Sequence, residues 1–558
     1  MVKGVLKVLR SEIRGLHQAA YLLALFALFS QVLGLVRDRL LAHSFGAGEI
    51  LDVYYAAFRI PDLVFVGIAS SVSIFVLVPF LIDKLDKDKE EALAFISNIF
   101  SFFFALLVIV SLVLFFLIPY FSGRLFPGFQ GDSLTALVGL TRVLLLSPIL
   151  LGLSNLFSSI TQVYKRFFVY ALSPLLYNLG IIVGILFFYP SFGLLGLGLG
   201  VVFGAFLHFI IQLPVVMGVG LFPSVRLKLN FRQIFEVIKI SFPRTITLSL
   251  SNITILILIS QASLLGEGSI SVFNLSFNLQ SVPLSIIGVS YSVAAFPTLA
   301  RYFSRGDREK FAGYIVTSAR HIIFWSIPAI FLFIVLRAQI VRVILGSGRF
   351  DWDNTRLTAA ALALFSISIL AQSLVMLFIR GYYAAGFTKK PLIINIFSSL
   401  LTVGLALFLV KLFSTSDVFQ FFIESLLRIE GINNTGIIML PLAYSLGMIA
   451  NLIFIWISFR MDFKEFYLPL KNAFLHSTIA SFFMAFTAFH FLRIFDNVFD
   501  INTFWGILSQ GLFSGLIGIA FGIFLLKIFN NKEINEIWKS MHTRFWRTEV
   551  IQKETMSL

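Results

Sequence analysis

The sequence of 558 residues contains no cysteine, which excludes a disulfide framework and a thiolate metal site. Charged residues are scarce at 13% of the chain, whereas a soluble domain carries about 25%. The sequence also has no Walker A phosphate loop, no HExxH motif and no GxSxG motif. These absences argue against a soluble domain, an ATP-driven pump and a hydrolase.

Apolar residues are abundant instead. They make up 58% of the chain, phenylalanine alone occupies 66 positions, and the mean hydropathy is +0.94. Fourteen segments are mostly apolar over about 20 residues, the length of an α-helix that crosses a bilayer. Their approximate limits are 19–36, 52–82, 92–118, 134–159, 167–189, 193–219, 234–262, 269–300, 313–336, 357–385, 391–412, 436–459, 472–492 and 502–526. We predict an all-α polytopic membrane protein with about 14 transmembrane helices.

Basic residues set the predicted orientation, because Lys and Arg accumulate in cytoplasmic links. They are concentrated on alternate links, among them Lys84–Lys89, Arg226–Arg232 and Arg301–Lys310. With fourteen spans, this pattern places both termini in the cytoplasm. The formal charge of +15 follows from the same bias, so we expect membrane lipids and no nucleic acid as partners. Met1–Gln18 is basic and has no small-residue cleavage site, so we expect no cleavable signal peptide.

Ionisable residues cluster between Phe29 and Pro79, in and beside the first two predicted spans. They are Arg37, Asp38, Arg39, Asp52, Arg59 and Asp62. A charge at bilayer depth costs at least ~2.5–3.5 kcal/mol, so such groups usually face a wet cavity or a partner.

Part of this cluster follows helical spacing. The side chains at i, i+3, i+7 and i+10 are Asp52, Tyr55, Arg59 and Asp62, which places them on one face of a helix. Pro61 lacks a backbone donor and predicts a kink beside Arg59. We interpret this stripe as the wall of a substrate cavity.

The chain nearly repeats itself at an offset of 217–220 residues. The matches are Gly46-Ala47-Gly48 with Gly266-Glu267-Gly268, Pro79 with Pro297, Tyr164 with Tyr383, Pro174 with Pro391, and Asn178 with Asn395. The offset covers six spans, so the two copies enter the membrane in the same direction and form parallel repeats. We predict two six-helix lobes, 1–230 and 231–460, a two-helix appendage, 461–530, and a cytoplasmic tail, 531–558. Two lobes around a central cleft are typical of transporters that alternate access to one site.

Three stretches resemble the MurJ/MviN family, within the larger group of multidrug, oligosaccharidyl-lipid and polysaccharide exporters. FSQVLGLVRDRLLAHSFGAGEILDVYYAAFRIPDLV is similar to the family's first two helices. LSNLFSSITQVYKRFFVYALSPLLYNLGII and RGYYAAGFTKKPLIINI are similar to its fourth-to-fifth and tenth-to-eleventh helix segments. The resemblance implies fourteen helices in two lobes, a location in the bacterial cytoplasmic membrane, and export of lipid II. Lipid II is a disaccharide-pentapeptide linked through pyrophosphate to undecaprenol.

The resemblance also carries site residues. Arg37, Asp38 and Asp52 stand where the family has its RD pair and first-lobe acidic residue, and Arg59 stands at a basic position. The chain departs from the family at positions where familiar members carry arginine, which here are Gln31, Phe65, Val66 and Asn278. Gln31 and Asn278 are retained as weaker candidates for substrate binding.

Arginine suits a pyrophosphate because its planar fork donates two parallel hydrogen bonds to phosphate oxygens. Arg37 and Arg59 are the first-lobe candidates, and Arg244 and Arg380 are weaker candidates in the second lobe. We expect Asp38 and Asp52 to hold these arginines between substrates or to sense a coupling cation. With no cofactor expected, the energy would come from the membrane potential, from H⁺ or from Na⁺.

Structural interpretations remain open beside these. Arg37-Asp38-Arg39 could be an interfacial ion pair, and Asp52 with Arg59 could lock two helices. Arg142, Arg244 and Arg380 could snorkel to the interface, and His208 and His321 could be packed histidines or a proton relay. The glycine run Gly193–Gly204 is better explained by close helix packing than by nucleotide binding.

The leading hypothesis is a monomeric secondary transporter that flips a lipid-linked glycan and is not an enzyme. The alternatives are a flippase for another polyprenyl-linked oligosaccharide and a cation-coupled antiporter for amphiphiles. A membrane-embedded glycosyltransferase would need acidic catalytic residues in a large external loop, and the longest external link, 414–436, offers only Asp417, Glu424 and Glu430. This link could be a short interfacial helix. A scaffold without transport would have polar residues that lock the lobes and no cleft.

Overall fold

The structure is a computed structural model that describes residues 16–69, 74–466 and 471–536. Regular structure in these residues is helical throughout. The helices of the first half are α1 Leu16–Phe45, α2 Glu49–Ala57, α3 Arg59–Ile68, α4 Ile74–Lys87, α5 Lys89–Leu125, α6 Gly131–Leu144, α7 Leu146–Val163, α8 Phe167–Val183, α9 Tyr189–Phe192, α10 Leu194–Ile210, α11 Leu213–Gly218 and α12 Phe231–Ser263. Those of the second half are α13 Ser269–Leu284, α14 Ser290–Ser304, α15 Arg308–Val335, α16 Arg337–Ile344, α17 Trp352–Ser366, α18 Ile369–Ala384, α19 Lys389–Thr415, α20 Asp417–Leu427, α21 Met439–Asp462, α22 Lys471–Phe495 and α23 Phe504–Ile528. Two π-helical turns, Gly184–Phe188 and Ser285–Val289, and one 3₁₀ turn, Thr435–Ile438, join neighbouring helices.

The membrane-spanning helices agree with the all-α polytopic prediction. In the part of the chain that the structure describes, 12 helical segments are long and apolar enough to cross a bilayer. Helices α17 and α18 form a thirteenth segment that is bent by 41°. The remaining predicted span, 52–82, comprises α2, α3 and α4 and includes residues 70–73, which lie outside the described residues. The count of fourteen therefore stays a prediction.

Proline explains where the second predicted span breaks. Helix α2 ends at Ala57 and α3 begins at Arg59, two residues before Pro61. Because Pro61 has no N–H, the carbonyl of Ala57 has no donor four residues later, and the α-helical ladder cannot continue through this turn. The predicted kink beside Arg59 is confirmed as a break at Phe58.

Glycine permits the close crossing of α8 and α10. A Cβ atom on Gly184 would lie 2.5 Å from the Cα of Gly200, a distance that real Cβ contacts do not reach. Gly180 and Gly204 face each other one turn away and leave equally little room for a side chain. The glycine run is therefore a helix-packing surface, as the sequence indicates for small residues in membrane spans.

The chain divides into two compact units by spatial contact. The first comprises 1–279, 344–361 and 388–447, and the second comprises 280–343, 362–387 and 448–558. The first has a core in which α4, α5 and α7 bury Leu81, Ile99 and Phe157. The second packs Phe324 of α15 against α22 and α23. These units follow contact rather than chain order, so the division into lobes, appendage and tail at 1–230, 231–460, 461–530 and 531–558 stays a prediction.

Helix α15 of the second unit is held by a cap at its first turn and by an ion pair near its middle. Asp307 caps its first turn, because the Lys310 side chain and backbone N–H donate to the carboxylate at 2.7 and 3.1 Å. These hydrogen bonds lower the pKa of the Asp307 carboxyl below its ordinary value. Further along, Arg320 Nε donates to Oε1 of Glu533 at 2.7 Å, which fastens the segment after α23 to α15. The Glu533 side chain is 3% exposed, so this ion pair is largely removed from water.

Candidate functional site

An arginine–aspartate pair lies on α1. The Nη2 and Nε atoms of Arg37 donate to Oδ1 of Asp38 at 2.8 and 3.0 Å. The Nη1 atom of Arg37 donates to Oδ1 of Asn178 on α8 at 3.1 Å, and the Asn178 amide donates to Ser30 Oγ at 3.3 Å. Asp38 is only 4% exposed, so its charge is balanced by Arg37 within the protein. The pair thus points into a helix contact and is not an exposed interfacial pair.

Asp52 of α2 binds the amino end of α13. Its Oδ2 accepts from the backbone N–H of Gly268 at 2.7 Å. Its Oδ1 accepts from the backbone N–H and the hydroxyl of Ser271 at 2.7 and 2.6 Å. The first turn of a helix has unpaired N–H groups and a positive dipole end, so a carboxylate is the natural partner there. Asp52 therefore joins two helices that are far apart in sequence.

Arg59, the first residue of α3, reaches the same helix. Its Nη2 atom donates to Oδ1 of Asn274. The Nε atom of Arg59 and the hydroxyl of Tyr55 are buried and have no hydrogen-bond partner in the described part of the chain. The predicted stripe is thus divided, because Asp52 and Arg59 bind α13 while Tyr55 does not. Asp52 and Arg59 do not pair with each other.

One face of α13 receives three of the charged residues. Ser271, Asn274 and Asn278 have the spacing i, i+3 and i+7. Ser271 binds Asp52, Asn274 binds Arg59, and the Asn278 amide donates to Oδ2 of Asp38 at 3.0 Å. We call these three contacts, Asp52–Ser271, Arg59–Asn274 and Asp38–Asn278, the polar seam. They join the beginning of the first repeat to the beginning of the second.

The seam connects equivalent stripes of the two repeats. Each of Ser271, Asn274 and Asn278 lies 219 residues after a member of the stripe Asp52, Tyr55 and Arg59. Sequence reasoning noted the first stripe and the repeat but did not apply the offset to the stripe. That offset was the available signal for Ser271 and Asn274. Asn178 was noted only as a repeat match, and nothing in its spacing indicated that it binds Arg37.

The glycine-containing links at this end pack against each other. The backbone N–H of Glu49 donates to Oε1 of Glu267 at 3.0 Å. Gly46 has φ +64°, and a Cβ there would lie 2.7 Å from the carbonyl oxygen of Arg349. The link 345–350 also joins this end, since the N–H of Arg349 donates to the carbonyl of His43 at 2.9 Å. These contacts and the polar seam hold the links and helices of the first unit together at this end.

The other predicted site residues are not part of the polar seam. Gln31 is half-buried on α1, and so on α3 are Phe65 and Val66, which replace arginines of the family. Arg244 lies in α12, but its side chain is outside the described residues. Arg380 is half-buried on α18 and belongs to the second unit. The structure therefore brings together Arg37, Asp38, Asp52, Arg59 and Asn278, and not the complete predicted set.

Two residues with open interpretations have structural partners. Arg142 of α6 donates from Nε to the carbonyl of Phe115 at 3.0 Å, and its guanidinium lies 4.6 Å from the centroid of the Phe115 ring. That carbonyl is available because Pro119, four residues later, has no N–H. His208 Nδ1 lies 2.6 Å from Ser154 Oγ inside the helix bundle, as the packing interpretation expects. Arg142 is likewise explained by local structure.

Comparison with protein families yields one match over most of the chain. The model described as lipid II flippase MurJ matches residues 41–509. A probable lipid II flippase MurJ of Borreliella burgdorferi is 25% identical over 502 residues, covering 87% of this chain and 92% of the relative. The probable lipid II flippase MurJ of Thermotoga maritima is 29% identical over 382 residues, covering 68% of this chain and 76% of the relative.

Solved structures have the same fold. A lipid II flippase MurJ in an inward closed conformation superposes with a TM-score of 0.72 at 21% identity, covering 93% of this chain and 100% of that structure. An inward-facing multidrug resistance transporter of the MATE family superposes with a TM-score of 0.63 at 15% identity, covering 78% of this chain and 95% of that structure.

Proposed function

This chain belongs to the lipid II flippase MurJ family, and on that premise we propose that it moves lipid II across the bacterial cytoplasmic membrane. The disaccharide-pentapeptide and pyrophosphate pass through a polar cleft while the undecaprenyl chain stays in lipid. Without such a path the charged head would lose its water in the hydrocarbon, which is prohibitive. The protein acts as a secondary transporter by alternating access, with both termini in the cytoplasm.

The observation that carries the proposal is the match of residues 41–509 to the lipid II flippase MurJ model, and the polar seam fits it. Alternating access needs one end of the cleft to be closed by contacts that can separate again. Asp52–Ser271, Arg59–Asn274 and Asp38–Asn278 are hydrogen bonds between polar groups, which water can replace when the end opens. An apolar seam would instead expose hydrophobic surface on opening. The basic-residue bias predicts that this end lies outside, and we infer that the polar seam closes the path on that side.

Arg37 and Arg59 are the proposed ligands of the pyrophosphate. Each is held by a neutral amide, Arg37 by Asn178 and Arg59 by Asn274. A phosphate oxygen accepts a stronger, charge-assisted hydrogen bond from a guanidinium than an amide oxygen does, so the substrate can displace both asparagines. Release of Asn274 would break one contact of the polar seam, which couples binding to opening. Asp38 keeps Arg37 oriented in the absence of substrate.

The experiment is complementation of cells depleted of their own lipid II flippase. We expect the native gene to restore growth and the Arg37→Ala and Asp52→Ala variants to fail, with equal amounts of each protein in the membrane. Arg124→Ala is the matched control, since Arg124 lies exposed at the end of α5 and its Nη1 donates to the carbonyl of Tyr120 in its own helix at 3.3 Å. Growth of both variants would contradict the proposed site. Failure of the native gene despite membrane insertion would favour another polyprenyl-linked oligosaccharide as the substrate. The difference in substrate would then agree with Gln31 and Asn278, which stand where familiar members of the family carry arginine.

A further inference from the structure

Helix α20 is too short to cross the bilayer and lies at the end of a helix that does. It has 11 residues, which at 1.5 Å per residue is about 16 Å, half the thickness of the hydrocarbon core. It begins at Asp417, with only Ser416 between it and the last residue of the spanning helix α19. Ser416 caps α20, since its hydroxyl accepts from the N–H of Phe419 at 3.4 Å. The position of α19 in the membrane therefore holds α20 at the membrane surface.

The two faces of α20 differ in burial. Large apolar side chains are exposed on one face, at 81% for Val418, 69% for Phe421, 59% for Phe422 and 62% for Leu426. On the opposite face Ile423 and Leu427 are buried against the first unit. The exposed residues follow the spacing i, i+3, i+4 and i+8, so they form one continuous stripe. A stripe of this size would be unfavourable in water.

We propose that the face formed by Val418, Phe421, Phe422 and Leu426 docks into the bilayer interface, and that this docking keeps the polar seam closed. The bilayer is the occupant because α20 directly follows α19, a candidate membrane-spanning helix on which Phe397 and Phe408 are 62% and 60% exposed. A helix with one apolar face, lying in the interface plane, buries that face at the headgroup boundary.

The contacts on the other side of α20 lead to the seam. Glu424 Oε1 accepts from Gln420 Nε2 at 2.8 Å and from Thr435 Oγ1 at 2.6 Å. The neighbouring Asn434 donates from Nδ2 to the carbonyl of Glu267 at 3.0 Å. Glu267 immediately precedes Gly268, whose N–H binds Asp52. Three hydrogen-bonded steps thus link the docked helix to the carboxylate that closes this end.

A second set of hydrogen bonds holds the loop between α20 and Asn434. Arg356 of α17 donates from Nη2 and Nε to the carbonyl of Arg428 at 2.8 and 3.0 Å. Arg428 has φ +61°, the left-handed conformation that ends α20. Because the loop is fixed at Arg428 and at Asn434, a displacement of α20 is transmitted to Glu267 and is not absorbed by the loop. Undocking of α20 should therefore loosen the seam.

Docking is tested by spin labelling, which needs no background mutations because the chain has no cysteine. Phe422→Cys and the control Glu430→Cys, on the adjacent exposed loop, each receive a nitroxide in vesicles of phosphatidylethanolamine and phosphatidylglycerol. We expect the label at 422 to be accessible to oxygen and protected from a water-soluble nickel reagent, with the reverse at 430. Equal nickel accessibility at both positions would overturn the proposal. Spin–spin broadening at 422 would also overturn it, because a second copy would then cover the face.

The effect on the seam is tested with Ile270→Cys, because Ile270 is fully buried at the start of α13. In the Ile270→Cys protein we add the double substitution Phe421→Ser and Phe422→Ser. A membrane-impermeant maleimide should then label position 270 about tenfold faster, which corresponds to about 1.4 kcal/mol. Phe397→Ser, on the exposed surface of α19, is the control and should leave the rate unchanged. An unchanged rate in the double variant would overturn the coupling. Neither readout uses lipid II, so failure here is distinguishable from failure of the proposed function.

Discussion

Asp52 illustrates how a buried carboxylate is tolerated. It is 4% exposed and accepts three hydrogen bonds from the amino end of α13. The sequence indicated that Asp52 needs a partner, because an isolated charge there is costly. It did not indicate that the partner would be a helix terminus, since backbone N–H groups carry no sequence signature. Residue types alone thus predict that a charged group needs a partner, but they do not predict which group that partner is.

Asp52→Asn should weaken the closure. An amide has one acceptor oxygen and cannot serve both the Gly268 and Ser271 N–H groups, and loss of a helix cap costs about 0.5–2 kcal/mol. We expect the labelling rate of Ile270→Cys to rise about tenfold in this variant. Asp132→Asn, an exposed acid in the first turn of α6, is the control and should have no effect. A rate equal to that of the control would mean that Asp52 does not hold this end closed.

Arg59→Lys tests whether phosphate is bound by a guanidinium fork. Lysine keeps the charge but donates from one point, so it cannot make two parallel hydrogen bonds. We expect flipping of lipid II in reconstituted vesicles to fall about tenfold or more, the loss for a charge-assisted hydrogen bond. Arg124→Lys provides the matched control. Unchanged flipping would assign Arg59 a point-charge or structural role.

At the scale of elements, hydropathy predicts spans well and their interruptions less well. The limits of α5, α12, α19 and α23 follow from the run of apolar residues that a bilayer requires. The break at Phe58 could be predicted because Pro61 acts on its own helix. The pairing of α13 with α2 and α3 could not, because the register between distant helices depends on packing that hydropathy does not describe.

The effects of substituting Arg142 and Pro119 on the free energy of unfolding should depend on each other. Pro119 leaves the carbonyl of Phe115 without its helical donor, and Arg142 supplies the replacement. Arg142→Ala should lower the free energy of unfolding by about 1–3 kcal/mol, because the Phe115 carbonyl lies in a candidate membrane span and would be left without a donor. In a Pro119→Ala background, where the helix supplies its own N–H, the same substitution should cost much less. Equal losses of unfolding free energy in the two backgrounds, measured in mixed micelles, would show that the residues act independently.

At the scale of the whole chain, the structure ties a late segment to an earlier span. Arg320 lies within the predicted span 313–336. Its partner, Glu533, lies 213 residues later, beyond the last spanning helix. Composition and periodicity do not predict contacts between residues that are so far apart in the sequence. The same holds for the predicted division into lobes, because a repeat indicates which residues are equivalent but not which residues are in contact.

Glu533→Gln should destabilise the second unit. Removing one member of a buried pair leaves the other charge uncompensated, which costs about 3–5 kcal/mol when both are fully buried. Arg320 keeps 25% of its side chain exposed, so we expect a smaller loss of about 2–3 kcal/mol. Lys532→Gln changes the exposed neighbour and should leave the thermal midpoint unaltered. A midpoint for Glu533→Gln equal to that of Lys532→Gln would show that the pair adds nothing to stability.

The Asp52–Ser271 contact has a consequence for how such a chain could have arisen. The two residues occupy the same place in successive copies, so in an ancestor made of two identical subunits this position would have met itself across a dyad. Two carboxylates facing each other there would repel, and two serines would leave the helix terminus without an anion. A single polypeptide that carries both copies can place an acid on one side and a hydroxyl on the other. Duplication within one chain therefore permits a favourable asymmetry that two identical subunits could not have.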